Sequence, residues 1–278
     1  MRGRKLPEGW PKGRPLAISV SVMLEGWTDD SAPGLGPMGN PLKAGVLDTQ
    51  ARSWAEYGPK VGAWRLLDIL AAHDVGAVFY TSGILAERYP ELMRAIAGAG
   101  HAVAAHGWSQ NIVPAYQTAD EERRDLDHCM AAIEQGAGAR PSGWLSPRCT
   151  PSSRTSELLA GAGFRWHADY FDDDLPYRHT TKAGSITAVP FTMEVNDMPL
   201  YVRYGSQPET FTRILERIVG NWPRLGRPAA CLDITVHAHI FGRPMGALEF
   251  ANSLEVARRY GDWAWLTDHC ALAGIFAD

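Results

Sequence analysis

Six polar residues or groups in this chain sit just after or at the end of short apolar runs, where a strand end would present them to a cleft. Glu25 follows the run 16–24 and His106 closes 101–106. Arg148 follows GWLSP, and the acidic run Asp172, Asp173 and Asp174 follows WHADYF. Glu194 follows ITAVPFTM, and His237 and His239 end 230–237. A carboxylate and imidazoles on one rim could bind a metal or activate water, and a guanidinium on a Pro147-led turn could orient a carbonyl or carboxylate. Each residue also has a plainer reading: a solvated loop carboxylate for Glu25, a hydrogen-bonded core histidine for His106, a surface ion pair for Arg148 and a helix cap for the acidic run. The imidazoles of His237 and His239 are expected on opposite faces, so that one at most serves the pocket unless the strand has already turned.

The elements that must carry these residues alternate. Apolar runs at 16–24, 77–81, 101–106, 143–146, 186–191 and 230–237, with a weaker one at 262–267, read as strands. Between them, 61–73 and 86–99 carry helical period, with Val61, Trp64, Leu67 and Leu70 assigned to one face of the first. Thr118 with Glu121 forms a capping box opening a helix to about residue 135, and Pro208 suits the first turn of a helix over 208–221. This alternation predicts α/β architecture with a parallel sheet, and in a (β/α) barrel all the strand-end residues share the functional face. Residues 28–60 hold no period and are dense in Gly and Pro, which predicts an irregular arm; 171–185 is also expected to be irregular. With no repeat and no linker, residues 1–278 read as one domain.

Composition narrows the classes. In 278 residues, 45% hydrophobic and 21% charged side chains are enough for a core, which excludes disorder. A net charge of −4 steers the chain toward neither nucleic acid nor an anionic membrane. Cys129, Cys149, Cys231 and Cys270 form no CxxC pair, so free thiols are expected. The basic start, Met1–Lys5, is not followed by an apolar h-region, and the expectation is a cytoplasmic protein. Phosphate-cradling and dinucleotide motifs, GxSxG and HExxH are absent, so no organic cofactor is expected.

The phrases HGWSQN, GWLSPRCTPS, FDDDLPY and VHAHIFGRP, in this order, resemble the polysaccharide deacetylase superfamily, also called NodB-homology or carbohydrate esterase family 4. The likeness runs from about residue 16 to 275 and is strongest toward the branch of allantoinases and cyclic imide hydrolases. It implies a distorted (β/α)7 barrel. In the metal-dependent members the first strand ends in two aspartates, and the third ends in a histidine with a second four residues on. The matching positions here are Leu24, Glu25, His106 and Gln110. Glu25 and His106 remain as metal-ligand candidates, but a neutral Gln amide is a poor third donor for zinc, so a divalent metal is expected to bind weakly or not at all.

The resemblance further implies His237 as the acid that protonates a leaving nitrogen. The catalytic candidates are thus Glu25, His106, Arg148 and His237; the substrate-binding candidates are Asp172, Asp173, Trp108 and Arg243. The expected activity is hydrolysis of a non-peptide C–N bond in a small cyclic amide, imide or ureide. The alternatives are metal-dependent N-deacetylation of a sugar and a catalytically silent ligand-binding barrel. The expected partner is a small molecule, and the arm, with the habits of relatives, suggests a homo-oligomer.

Overall fold

The computed structural model describes residues 9–34, 36–39, 42–43, 45–226 and 229–276, so the basic run Met1–Lys5 and part of the arm lie outside the described residues. Its elements in chain order are β1 (Leu16–Leu24), α1 (Thr49–Tyr57), α2 (Ala63–His73), β2 (Val78–Thr81), α3 (Gly83–Arg88), α4 (Pro90–Gly98), β3 (Ala102–Ala105), α5 (Ala119–Ala137) and β4 (Gly143–Trp144). Then come α6 (Thr155–Gly161), β5 (Trp166–His167), β6 (Tyr177–Thr181), β7 (Gly184–Ala188), α7 (Glu209–Asn221), β8 (Ala230–His237), α8 (Pro244–Arg259), β9 (Ala264–Thr267) and α9 (His269–Ile275).

The sheet runs β6-β7-β5-β4-β3-β2-β1-β8, and β9 pairs with β1. From β7 to β8 every neighbouring pair is parallel, and only β6 runs antiparallel, against β7. The seven parallel strands from β7 to β8, with β9 parallel to β1 beside them, curl into the distorted (β/α) barrel that the resemblance implied. One edge of β1 pairs along its length with β8; the other is divided between β9 at Leu16–Ser19 and β2 at Ser21–Leu24.

Alternation along β1 separates two cores. Leu16, Ile18, Val20, Val22 and Leu24 face the helices, whereas Ala17 and Met23 join Val78, Tyr80, Leu145 and Trp166 inside the barrel. Residues two apart share a face, so the parity that sends Met23 inward sends Glu25 inward too. Ser19 and Ser21 donate to Asp233 Oδ1 at 2.5 and 3.0 Å, and Thr235 donates to Asp233 Oδ2, which leaves this buried interior carboxylate satisfied.

Among the described residues no ladder joins β7 to β8. The segment after β7 crosses the gap through a single bridge, Asn196 to Thr235. Side chains do the rest: the Asp233 N–H donates to Thr192 Oγ1 at 2.7 Å, and Thr192 Oγ1 donates to the Asp233 carbonyl at 3.1 Å.

Several expectations require correction. The arm is not irregular throughout: α1 opens at Asp48, whose side chain accepts from Ala51 N, a cap that apolar period does not reveal. Segment 171–185 contains β6 and the hairpin to β7, because an edge strand packed on one side shows little apolar signal. The predicted helix 86–99 is two helices broken before Pro90. On α2 the buried stripe is Ala63, Leu66, Leu67 and Leu70, with Val61 and Trp64 exposed, since the (i, i+3, i+4, i+7) set begins at Ala63. The capping box of α5 forms as expected, with both Thr118 and Glu121 bonds present. No described helix is long and apolar enough to cross a membrane. All four cysteines are free.

Candidate functional site

A cavity of about 610 Å³ opens at the C-terminal ends of the strands. That size suits a small molecule. Glu25, His106, Gln110, Arg148, His237 and His239 all line it. Six residues from four separate strand ends therefore meet, whereas the acidic run 172–174 and Glu194, expected on the same rim, do not line the cavity.

Glu25 is the centre. His106 Nε2 lies 3.5 Å and His237 Nε2 3.8 Å from its Oε1, and His239 Nε2 lies 3.9 Å from its Oε2. Burial would raise the carboxyl's pKa, but the fields of His237, His239 and His106 and the contact with His106 outweigh it and hold the group down to about 2.

The three imidazoles differ in what holds their other nitrogen. His106 Nδ1 donates to the Leu145 carbonyl at 2.8 Å, which leaves Nε2 as the free nitrogen toward the cavity. His237 Nδ1 donates to Asp197 Oδ1 at 2.6 Å, while Asp197 Oδ2 accepts the backbone N–H of His237 at 2.8 Å and of Phe241 at 3.2 Å. Burial would lower the pKa of His237, but Asp197 and Glu25 overcome it and raise it. His239 is 1% exposed and neither of its ring nitrogens has a hydrogen-bond partner. Burial pushes it down to about 3, so the ring is neutral.

Both His237 and His239 therefore reach the cavity, which corrects the expectation that one at most would. Residues two apart share a face of an extended chain, and a turn begins at Ala238. That turn fits closely: a Cβ on Gly62 would lie 1.9 Å from the Ala238 carbonyl oxygen and one on Gly242 2.0 Å from it, so only glycine is tolerated at either position. The edges of Trp27 and Trp54 flank His239 at ring-centroid distances of 5.8 and 4.6 Å.

Gln110 is engaged at both ends of its amide. Its Nε2 donates to Ser82 Oγ and to the His106 carbonyl, both at 3.2 Å, and its Oε1 accepts the Arg148 N–H at 2.9 Å. The amide thus ties the ends of two strands to the turn carrying Arg148. Among the described residues no group of three His, Cys, Asp or Glu is arranged to hold a metal ion. The family's metal set does not fit these residues, and no step is assigned to a metal. Cys149 also lines the cavity, but burial first, then Asp169 and Glu25, push its thiol up to about 12, so it is no nucleophile at neutral pH.

Four substrate-binding candidates lie outside the cavity. Trp108 stacks on His128 at 3.7 Å and packs beside Gly83. Asp172 accepts from the Tyr177 hydroxyl and Asp173 from Leu175 N, which fixes the turn before β6; the neighbouring Phe171 lines the cavity instead. Arg243 sits behind His239, donating to its carbonyl at 3.1 Å and stacking over Tyr57 at 4.1 Å, and so braces the turn. Glu194 is exposed, and its carboxylate accepts from Met193 N.

The sequence reading missed Asp197, Arg203, Trp27 and Trp54. Asp197 lies three residues beyond Glu194, in the pair Asn196-Asp197 ahead of Met198-Pro199, a turn signature that could have drawn attention to it.

Residues 55–167 match the polysaccharide deacetylase family. A peptidoglycan deacetylase of Helicobacter pylori is 24% identical over 243 residues, covering 76% of this chain and 82% of that protein. The crystal structure of a probable polysaccharide deacetylase from Pseudomonas aeruginosa PAO1 matches with a TM-score of 0.87 at 26% identity, covering 98% of this chain and 94% of that one. The crystal structure of Puue allantoinase also gives a TM-score of 0.87, at 24% identity over 98% of this chain and 93% of that one; at that identity it speaks for the fold alone. Fold, site and matches together define a hydrolase of carbon–nitrogen bonds other than peptide bonds. More particularly, residues 55–167 are similar to the polysaccharide deacetylase family, and Gln110 lies within that stretch.

Proposed function

We propose that the chain hydrolyses a ring C–N bond of a small cyclic amide, imide or ureide. The observation that carries this reading is the opposed pair of histidines on Glu25. The free Nε2 of His106 faces the carboxylate with a neutral carbonyl behind it, whereas His237 has a second carboxylate, Asp197, behind it. Environments that separate two like groups in this way assign one to accept a proton and the other to give one.

A water between Glu25 and His106 loses its proton to His106 Nε2 as its oxygen attacks the ring carbonyl. Glu25, ionised throughout, orients the water and neutralises the resulting imidazolium, and it is too acidic to be the better proton acceptor. Arg148 at the rim orients and polarises the carbonyl, which stabilises the oxyanion. His237, protonated at Nε2 and held by Asp197, gives its proton to the departing ring nitrogen. The ring opens into a carboxylate and an amide, urea or amine nitrogen. The aromatic walls Trp27, Trp54, Phe171 and Phe191 suit a flat ring better than a chain of sugars.

Mass spectrometry after incubation with a pool of cyclic imides, ureides and N-acetylated sugars tests the reading. A product heavier by one water supports it. Loss of an acetyl group instead would return the chain to the sugar N-deacetylases, the reading favoured by the name of its Helicobacter relative. No product from either half would favour a barrel that only binds. We also propose a homo-oligomer, supported by Met38, Leu42 and Val46, which expose apolar surface on the arm; a monodisperse monomer in light scattering would refute it.

A further inference from the structure

One positive charge in the cavity has no role in this chemistry. The segment that supplies Asp197 continues into a π-helical turn, Met198–Arg203, whose last residue lines the cavity. Such turns are rare and gather at functional sites. Arg203 is exposed, and among the described residues neither its guanidinium nor that of Arg148 has a hydrogen-bond or ion-pair partner. Glu25 is the one carboxylate among the described residues that line the cavity, and three imidazoles already surround it.

Two further observations show that these cations are placed rather than incidental. Arg148 and its neighbour Cys149 hold left-handed backbone, with φ of 54° and 50°. A β-carbon makes that conformation costly, so a glycine would sit there more easily, and the strain is accepted for the side chain it presents at the rim. Arg203, for its part, lies near enough to His237 and Cys149 for its field to act on both, and at His237 it opposes the protonated ring. A cation that works against the neighbouring acid serves something other than that acid.

Resting on the ring-hydrolase reading, we propose that the substrate carries a carboxylate of its own, separate from the scissile amide, and that Arg203 binds it while Arg148 takes the carbonyl. An unpaired guanidinium at the edge of an apolar-walled cavity forms a charge-assisted, bidentate contact with a carboxylate. The substrate class narrows to acid-bearing cyclic imides and ureides.

Hydantoin-5-acetic acid and hydantoin-5-acetamide share ring and size and differ in charge, so the pair isolates the contact. Calorimetric Kd and steady-state KM are measured for both with the wild type, Arg203→Gln and Arg203→Lys. The wild type is expected to favour the acid over the amide by about 10-fold to 100-fold, Arg203→Gln to collapse that ratio, and Arg203→Lys to keep part of it. Equal affinity for the two probes, an unchanged ratio in Arg203→Gln, or no binding of the acid overturns the proposal. If Arg203→Gln changes only inhibition by the ring-opened product, the guanidinium serves the carboxylate released by hydrolysis, and the proposal falls. Arg203-dependent binding of the acid without turnover leaves it standing and defeats the ring-hydrolase reading; turnover of both probes at equal KM does the reverse.

Discussion

Asp197 holds His237 by two routes at once: Oδ1 takes the ring Nδ1–H at 2.6 Å, and Oδ2 takes the backbone N–H of the same residue at 2.8 Å. The carboxylate therefore sets the ring's orientation, its tautomer and its affinity for a proton together.

Asp197→Asn leaves a side chain of the same size but removes the charge that opposes burial at His237. The raised pKa of His237 keeps the imidazolium present to higher pH than an ordinary histidine, so activity is lost as pH rises through that value. In Asp197→Asn this alkaline limb moves to lower pH, and kcat falls by about 100-fold or more. A pH–rate profile checks both. An unmoved limb would remove His237 from the role of acid.

Glu25→Gln and His237→Ala are each expected to lower kcat by at least about 1,000-fold with the fold intact by circular dichroism. Full activity in both would end the mechanism. Glu25 also predicts an acid limit to stability. Its pKa is depressed from 4.5 to about 2, so the stability it contributes is complete above the higher value and is lost as pH falls toward the lower one. Denaturant titrations at several pH values should show that decline in the wild type and a shallower one in Glu25→Gln.

Gln110→Ala removes the acceptor for Arg148 N and both amide donor contacts, leaving buried partners unsatisfied. Unfolding titrations should show a loss of about 1–3 kcal/mol. Because the turn carrying Arg148 is then free to leave its left-handed conformation, KM should rise more than kcat falls. An unchanged KM would mean that Arg148 does not touch substrate.

His239→Phe replaces two unpartnered buried nitrogens with an apolar ring edge. The variant should be as stable as the wild type or more so, by about 1 kcal/mol, yet lose about 100-fold in kcat/KM, because the neutral imidazole edge is the polar group left open to the ring. Thermal melts and kinetics together decide. A less stable variant with full activity would make His239 a packing residue.

The strand ends were legible because parallel strands in a barrel all finish on one face, so a polar residue just after an apolar run is placed before any contact is known. Glu25, His106, Arg148 and His237 were found in that way. Asp197 was not, since the chain after β7 forms no ladder that would give it a strand-end position; Glu194, the residue that does follow the apolar run, is exposed and does not line the cavity. Asp172 and Asp173 met the same positional rule and still point elsewhere, because each is consumed by its own turn. Trp108, a substrate-binding candidate, instead stacks on His128, which lies on a different element. Short-range pattern shows which end of the barrel carries the chemistry. Which side chains are left unpartnered there depends on neighbours distant in sequence.

The single bridge between Asn196 and Thr235 gives this barrel a zipper, and the tab of the zipper is the proposed reaction centre. Asp197 is the next residue after the bridge on one lip, and His237 lies two residues beyond it on the other. A parting of that seam would therefore separate the proton donor from its carboxylate while the ladders of the remaining sheet stayed whole. On the proposed mechanism, inactivation by such a parting would be a different event from denaturation.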